Sequence, residues 1–124
     1  MHYKTQLAYK WEKKTDGFGQ ISDGSVFYQG SLDISGNQVT VYRKSITGVS
    51  ILFGLIGDAT SRGKKMFSFT FEEVVSYSVA EKTGRGDAIM TLNFKNGNLL
   101  RFSLTDDLSR VVPPMLKNVQ KIEA

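Results

Sequence analysis

Very little in this chain is suited to making or breaking bonds. Its one histidine, His2, stands at the second position, where a frayed terminus would deny it the partners that a general base or a triad needs. With no cysteine there is no thiol nucleophile, no disulfide framework and no thiolate metal site. Glu72-Glu73 and Asp106-Asp107 are the two carboxylate pairs. Adjacent carboxylates on a strand corner or at a helix start point apart, so these read as a solvated corner and a helix cap rather than a catalytic dyad. The run from Gly57 to Lys65 invites comparison with a phosphate-binding loop, but five residues separate Gly57 from Gly63 where that loop has four. Lys65 also occupies the place of the metal-holding Ser or Thr. Arg85-Gly86-Asp87 spells an adhesion tripeptide, and in a glycine-rich connection it reads as a turn. No His, Asp or Glu spacing suits a metal, so no cofactor is expected and the chain reads as a non-enzyme.

Two residue sets point to binding instead. The first is basic: Lys13, Lys14, Arg43, Lys44, Arg62, Lys64 and Lys65. Residues 1–65 hold nine Lys/Arg against five Asp/Glu, and residues 66–124 hold seven of each, so the whole net charge of +4 belongs to the first half. Scattered surface charge is the plain account, and an anion-binding face is the functional one. An excess of this size is small for DNA or RNA, and no nucleic-acid motif accompanies it, so anionic lipid is the better match. The second set is apolar: Ile51, Leu52, Phe53, Leu55 and Ile56, interrupted by Gly54 and Gly57 within a glycine-rich insert at about 46–65. It reads either as a segment folded over the core or as a surface left for a protein partner, a second copy of the chain or the outer layer of a membrane.

The elements that must position these sets are mostly strands. In Tyr3–Glu12, Tyr3, Thr5, Leu7, Tyr9 and Trp11 alternate with Lys4, Gln6, Ala8, Lys10 and Glu12, the period of a half-buried strand. Lys13–Ser25 is a loop rich in Gly and Asp. Strands at 26–35 and 38–44 flank Gly36-Asn37, a two-residue hairpin turn. Phe67, Phe69 and Phe71 point one way along a strand at 66–71, and Glu72-Glu73 turn the corner into a strand at 74–82. Strands at 88–95 and 98–104 flank Asn96-Gly97, a type I′ signal, with Met90, Leu92 and Phe94 facing the core. Thr105-Asp106-Asp107 then caps a helix. Its apolar stripe is Leu108, Val112, Met115/Leu116, Val119 and Ile122. Pro113 and Pro114 lie inside the stripe, so the helix is expected to kink, or to begin at the prolines after a short turn, with the break at Val112.

At 124 residues the chain reads as one domain, 1–124, mainly β with one helix (α+β). The longest apolar run, at 49–57, is too short to span a bilayer, and the first residues lack the pattern of a signal peptide. A cytoplasmic protein, free or peripheral to a membrane, is expected. Seven antiparallel strands followed by one terminal helix, together with the corner Phe71-Glu72-Glu73-Val74-Val75 and the hairpin Met90–Leu104, resemble the pleckstrin-homology-like superfamily, closest to the GRAM and bacterial PH-like domains. The likeness covers roughly 26–122. It implies a closed barrel of seven strands stoppered by its helix, and a non-catalytic module that binds lipid headgroups or peptides, or self-assembles. Lys10, Lys13 and Lys14 match the basic residues that leave the first strand in PH domains, while Val26–Gly30 carries no Lys or Arg. A self-assembling structural protein is the alternative, and an enzyme or small-ligand carrier using the barrel interior is a third and lesser expectation.

Overall fold

A computed structural model describes residues 1–11, 27–44, 63–81 and 86–123. The expected loop at 13–25 and most of the insert at 46–65 lie outside the described residues. Among the described residues the strands are β1 (His2–Lys10), β2 (Tyr28–Ser35), β3 (Gln38–Arg43), β4 (Lys64–Thr70), β5 (Val74–Ala80), β6 (Ile89–Phe94), β7 (Leu99–Ser103) and β8 (Gln120–Lys121), and the one α-helix is α1 (Asp106–Met115). They form a single sheet in the order β4-β3-β2-β1-β7-β6-β5-β8.

β1 is the hinge of this sheet. It pairs with β2 from His2 to Leu7, and with β7 from Leu7 to Lys10. One strand thus passes from one half-sheet to the other, with the change at Leu7. In the sheet order β4 and β6 are five strand spacings apart, roughly 24 Å if the sheet were flat. The rings of Phe69 on β4 and Phe94 on β6 nevertheless meet at 4.8 Å, and Trp11 stacks on Phe67 at 4.0 Å while its edge meets Phe94 at 4.9 Å. The sheet is therefore curled over on itself, and the enclosed aromatic contacts each add about 0.5–1.5 kcal/mol beyond their burial.

The alternation written in the sequence sorts side chains as expected. Leu7, Tyr9, Val39, Val41, Phe67, Phe69, Phe71, Met90, Leu92 and Phe94 are all buried in one core. At Gly36, with φ +61°, β2 turns into β3 and Ser35 pairs with Gln38, the expected two-residue hairpin. The corner Phe71–Glu73 is one turn of 3₁₀ helix, in which the Thr70 N–H donates to a Glu73 carboxylate oxygen at 2.6 Å.

Four expectations are corrected. The sheet is not a closed barrel of seven strands: β8 adds an eighth, parallel to β5, and β4 and β8 are its two edges. The β6–β7 turn is a three-residue loop, Lys95–Gly97, with Phe94 N–H donating to Asn98 O and Gly97 at φ +78°. A turn ending in a left-handed glycine closes a hairpin as well as type I′ does, and keeps Phe94 on the core face. His2 is not frayed, since it opens β1 opposite Asp33. The fourth correction concerns the helix, which runs unbroken through Val112, Pro113 and Pro114 and stops at Met115. Pro113 and Pro114 donate no N–H within the last turn, and Leu116 N–H closes back on Pro113 O, three residues before it, in the tight turn that ends the helix. Beyond it the free edge of β5 takes over: Ser76 pairs with Gln120, and Ile122 N–H donates to Tyr77 O. Val119 and Ile122 therefore do not extend the helical stripe. Leu108, Val112 and Leu116 carry it into the core, where each contributes about 1.5–3 kcal/mol of apolar burial.

Candidate functional site

The far ends of β3 and β4 gather the described members of the basic set. In the ladder Arg43 lies opposite Lys64, and Tyr42 opposite Lys65. A bulge follows, which leaves Met66 without a register partner and buries both Met66 and Phe67. Lys44 comes one residue past β3, its N–H bonded to Gln29 O at 2.8 Å. Four cations therefore stand within two residues of one another on neighbouring strands.

Gly63 makes this junction possible. Its φ is +82°, and a Cβ there would lie 2.4 Å from Arg43 O and 2.9 Å from Lys44 Cα. Both the left-handed backbone and the closeness of β3 require glycine. Arg43 is the anchored member of the group. Its guanidinium carbon sits 3.5 Å from the centre of the Tyr28 ring, and Nη1 donates to the Tyr9 hydroxyl at 3.4 Å. Tyr9 in turn is buried edge-on against Phe67 at 5.4 Å. The charge is thus fixed to the core through two aromatic rings.

Lys44, Lys64 and Lys65 are exposed, and none of them forms an ion pair with a described residue. Like charges opposite or beside one another on a ladder repel, and no described carboxylate forms an ion pair with these three lysines. Lys13, Lys14 and Arg62, and the apolar Ile51, Leu52, Phe53, Leu55 and Ile56, lie outside the described residues.

Glu72 and Glu73 take different partners. Glu73 accepts from Thr70, Glu72 accepts from the Asn37 side-chain amide at 3.3 Å, and Asp107 pairs with Arg110 on the helix. Among the described residues no three His, Cys, Asp or Glu side chains gather as a metal site. Among the described residues no helix is long and apolar enough to cross a membrane.

Two features escaped the sequence. The tyrosine clamp on Arg43 joins residues 9, 28 and 43, and no spacing announces it. The other is a polar cleft of about 630 Å³ whose described lining includes Lys4, Gln29, Ser31, Lys44, Asp87 and Ser103. Its walls come from strands far apart in the chain, so no local pattern could have revealed it. No protein-family model matches the chain, and no curated protein matches it.

Proposed function

We propose that the chain is a non-catalytic interaction module of the PH-like kind, near the GRAM and bacterial PH-like domains, that docks on the anionic surface of a membrane as a peripheral cytoplasmic protein. The observation that carries this reading is the cluster of Arg43, Lys44, Lys64 and Lys65 at one end of a single ladder, three of them exposed. Support for the fold comes from the strand order and from a helix after β7 whose apolar stripe enters the core.

A basic side chain near an anionic leaflet contributes about 1 kcal/mol, so three exposed lysines supply about 3 kcal/mol, an attraction that salt screens. Arg43, held against Tyr28 and Tyr9, serves mainly to fix the strand ends from which the lysines project. Self-assembly through the sheet is the weaker alternative, because β4 is an edge strand whose first residues are Lys64 and Lys65, and edge lysines oppose pairing between copies.

Co-sedimentation with vesicles tests the reading. Phosphatidylserine-containing vesicles should bind the protein at low salt and release it at high salt, while pure phosphatidylcholine vesicles should not bind it. The double substitution Lys64→Ala/Lys65→Ala should weaken binding by about 30-fold, two lysines at about 1 kcal/mol each. Equal binding to neutral and anionic vesicles, or no effect of the double substitution, would remove the membrane reading.

A further inference from the structure

The polar cleft opens where β1 leaves β7. Their ladder stops at Leu7 opposite Phe102, and nearer the start of β1 the two strands part. The Thr5 hydroxyl donates to Ser103 O at 2.7 Å across the opening, occupying the carbonyl at the end of β7. One wall is the surface of β1 and β2, with Lys44 at its rim, and the other is the Gly86–Asp87 approach to β6 together with the end of β7. Lys4 lies opposite Ser31, and Ser31 opposite Tyr42, so these three share a face. Lys44 follows Tyr42 by two residues and lines the same cleft. Lys4 and Lys44 thus flank β2 from either side, two strands and two residues apart, about 12 Å between their backbones, a span that two lysine side chains can close on one ligand.

The chemistry of the lining is specific. At about 630 Å³ the cleft is within the range of small-molecule sites, about 300–1,000 Å³, and a single inorganic anion would leave most of it to water. Its described lining has no aromatic ring, so a nucleobase would find no stacking partner, and Ile89 is its one large apolar side chain. Between the walls stand amides and hydroxyls from Gln6, Gln29, Ser31 and Thr105. The charges are two ammoniums, Lys4 and Lys44, and one carboxylate, Asp87, and these three make no ion pair with one another.

We infer that this cleft binds a small hydrophilic zwitterion carrying excess negative charge, an acidic dipeptide in size and type. Its carboxylates meet Lys4 and Lys44, and its free amine meets Asp87. The site lies outside the membrane-docking end, sharing only Lys44 with it, and stands whether or not that surface binds lipid.

Calorimetry on the full chain with the dipeptide Glu-Glu, N-acetyl-Glu-Glu, glucose 6-phosphate and inorganic phosphate tests it. Glu-Glu should bind at one site, with Lys4→Met weakening it about tenfold, a contact to one charged group. The wild type should prefer the free amine to the acetylated one, and Asp87→Asn should abolish that preference. The Lys64→Ala/Lys65→Ala protein should bind Glu-Glu as the wild type does, which separates this site from the vesicle surface. Circular dichroism of each variant checks that the fold is retained. The inference is overturned if Glu-Glu does not bind, if acetylation makes no difference to the wild type, or if either phosphate binds more tightly than the dipeptide.

Discussion

The helix-covered side of the core and the β3–β4 end of the sheet solve opposite problems. On the first, α1 and the residue that caps it lay Leu108, Val112 and Leu116 into the core, all three almost fully out of water, and the helix's charges, Asp106, Asp107 and Arg110, remain on the solvent side. At the second, Arg43, Lys44, Lys64 and Lys65 crowd onto two strand ends, where the Tyr28 and Tyr9 rings tie Arg43 to the core. One region stabilises by burying an apolar stripe. The other accepts like-charge repulsion and is held in place by a glycine, a bulge and an aromatic clamp. On the proposed reading, work on a partner belongs to the second, because Lys44, Lys64 and Lys65 pair with no described carboxylate and their charge is stabilised when an anion arrives.

Substitutions in each region should break that contrast or sharpen it. Leu108→Ala should have the largest effect on stability, about 2–5 kcal/mol in urea unfolding, since a fully buried side chain leaves a cavity that its neighbours cannot fill. Under conditions where the variant stays folded, its vesicle binding should equal the wild type's. Loss of binding there would mean that the two regions are not separable.

Gly63→Ala comes next, at about 1–3 kcal/mol, because the new Cβ meets Arg43 O and the backbone at φ +82° disfavours it. Gly36→Ala is its control: a left-handed glycine too, but with open space around the Cβ position, it should cost about 1 kcal/mol. Equal losses at the two glycines would show that close approach at the basic end adds nothing.

Arg43→Lys should have the smallest effect, about 0.5–1 kcal/mol. It keeps the charge and gives up the planar contact with Tyr28 and the bond to Tyr9. Vesicle binding that survives this change but not loss of Lys64 and Lys65 would assign anchoring to Arg43 and contact to the lysines.

Much of the fold could be read from local pattern. Met90, Leu92 and Phe94 alternate with Ile89, Thr91 and Asn93, and a period of two has only one way to place them on a half-buried sheet. Gly36-Asn37 between two alternating runs left little choice of turn. The stripe of Leu108, Val112 and Leu116 follows helical period for the same geometrical reason. Past the prolines this logic failed. Val119 and Ile122 continue the period, yet whether a segment coils or pairs depends on what lies beside it, and β5 offers Tyr77 O and the backbone of Ser76.

The candidate site divides in the same way. That the basic excess belongs to the first half of the chain is a matter of composition, legible from the residues in order. Which cations meet is not, because the neighbours of Arg43 are set by the register of β3 on β4, and its clamp by the strand order that lays β2 and then β1 beside β3. Lys4 and Lys44 face one cleft only because β1 changes partners at Leu7 and parts from β7. Side-chain period is a property of a few adjacent residues, so it is present in the chain before folding. Strand order, splay and curvature arise from contacts between segments tens of residues apart, and these exist only once the sheet has closed around its core.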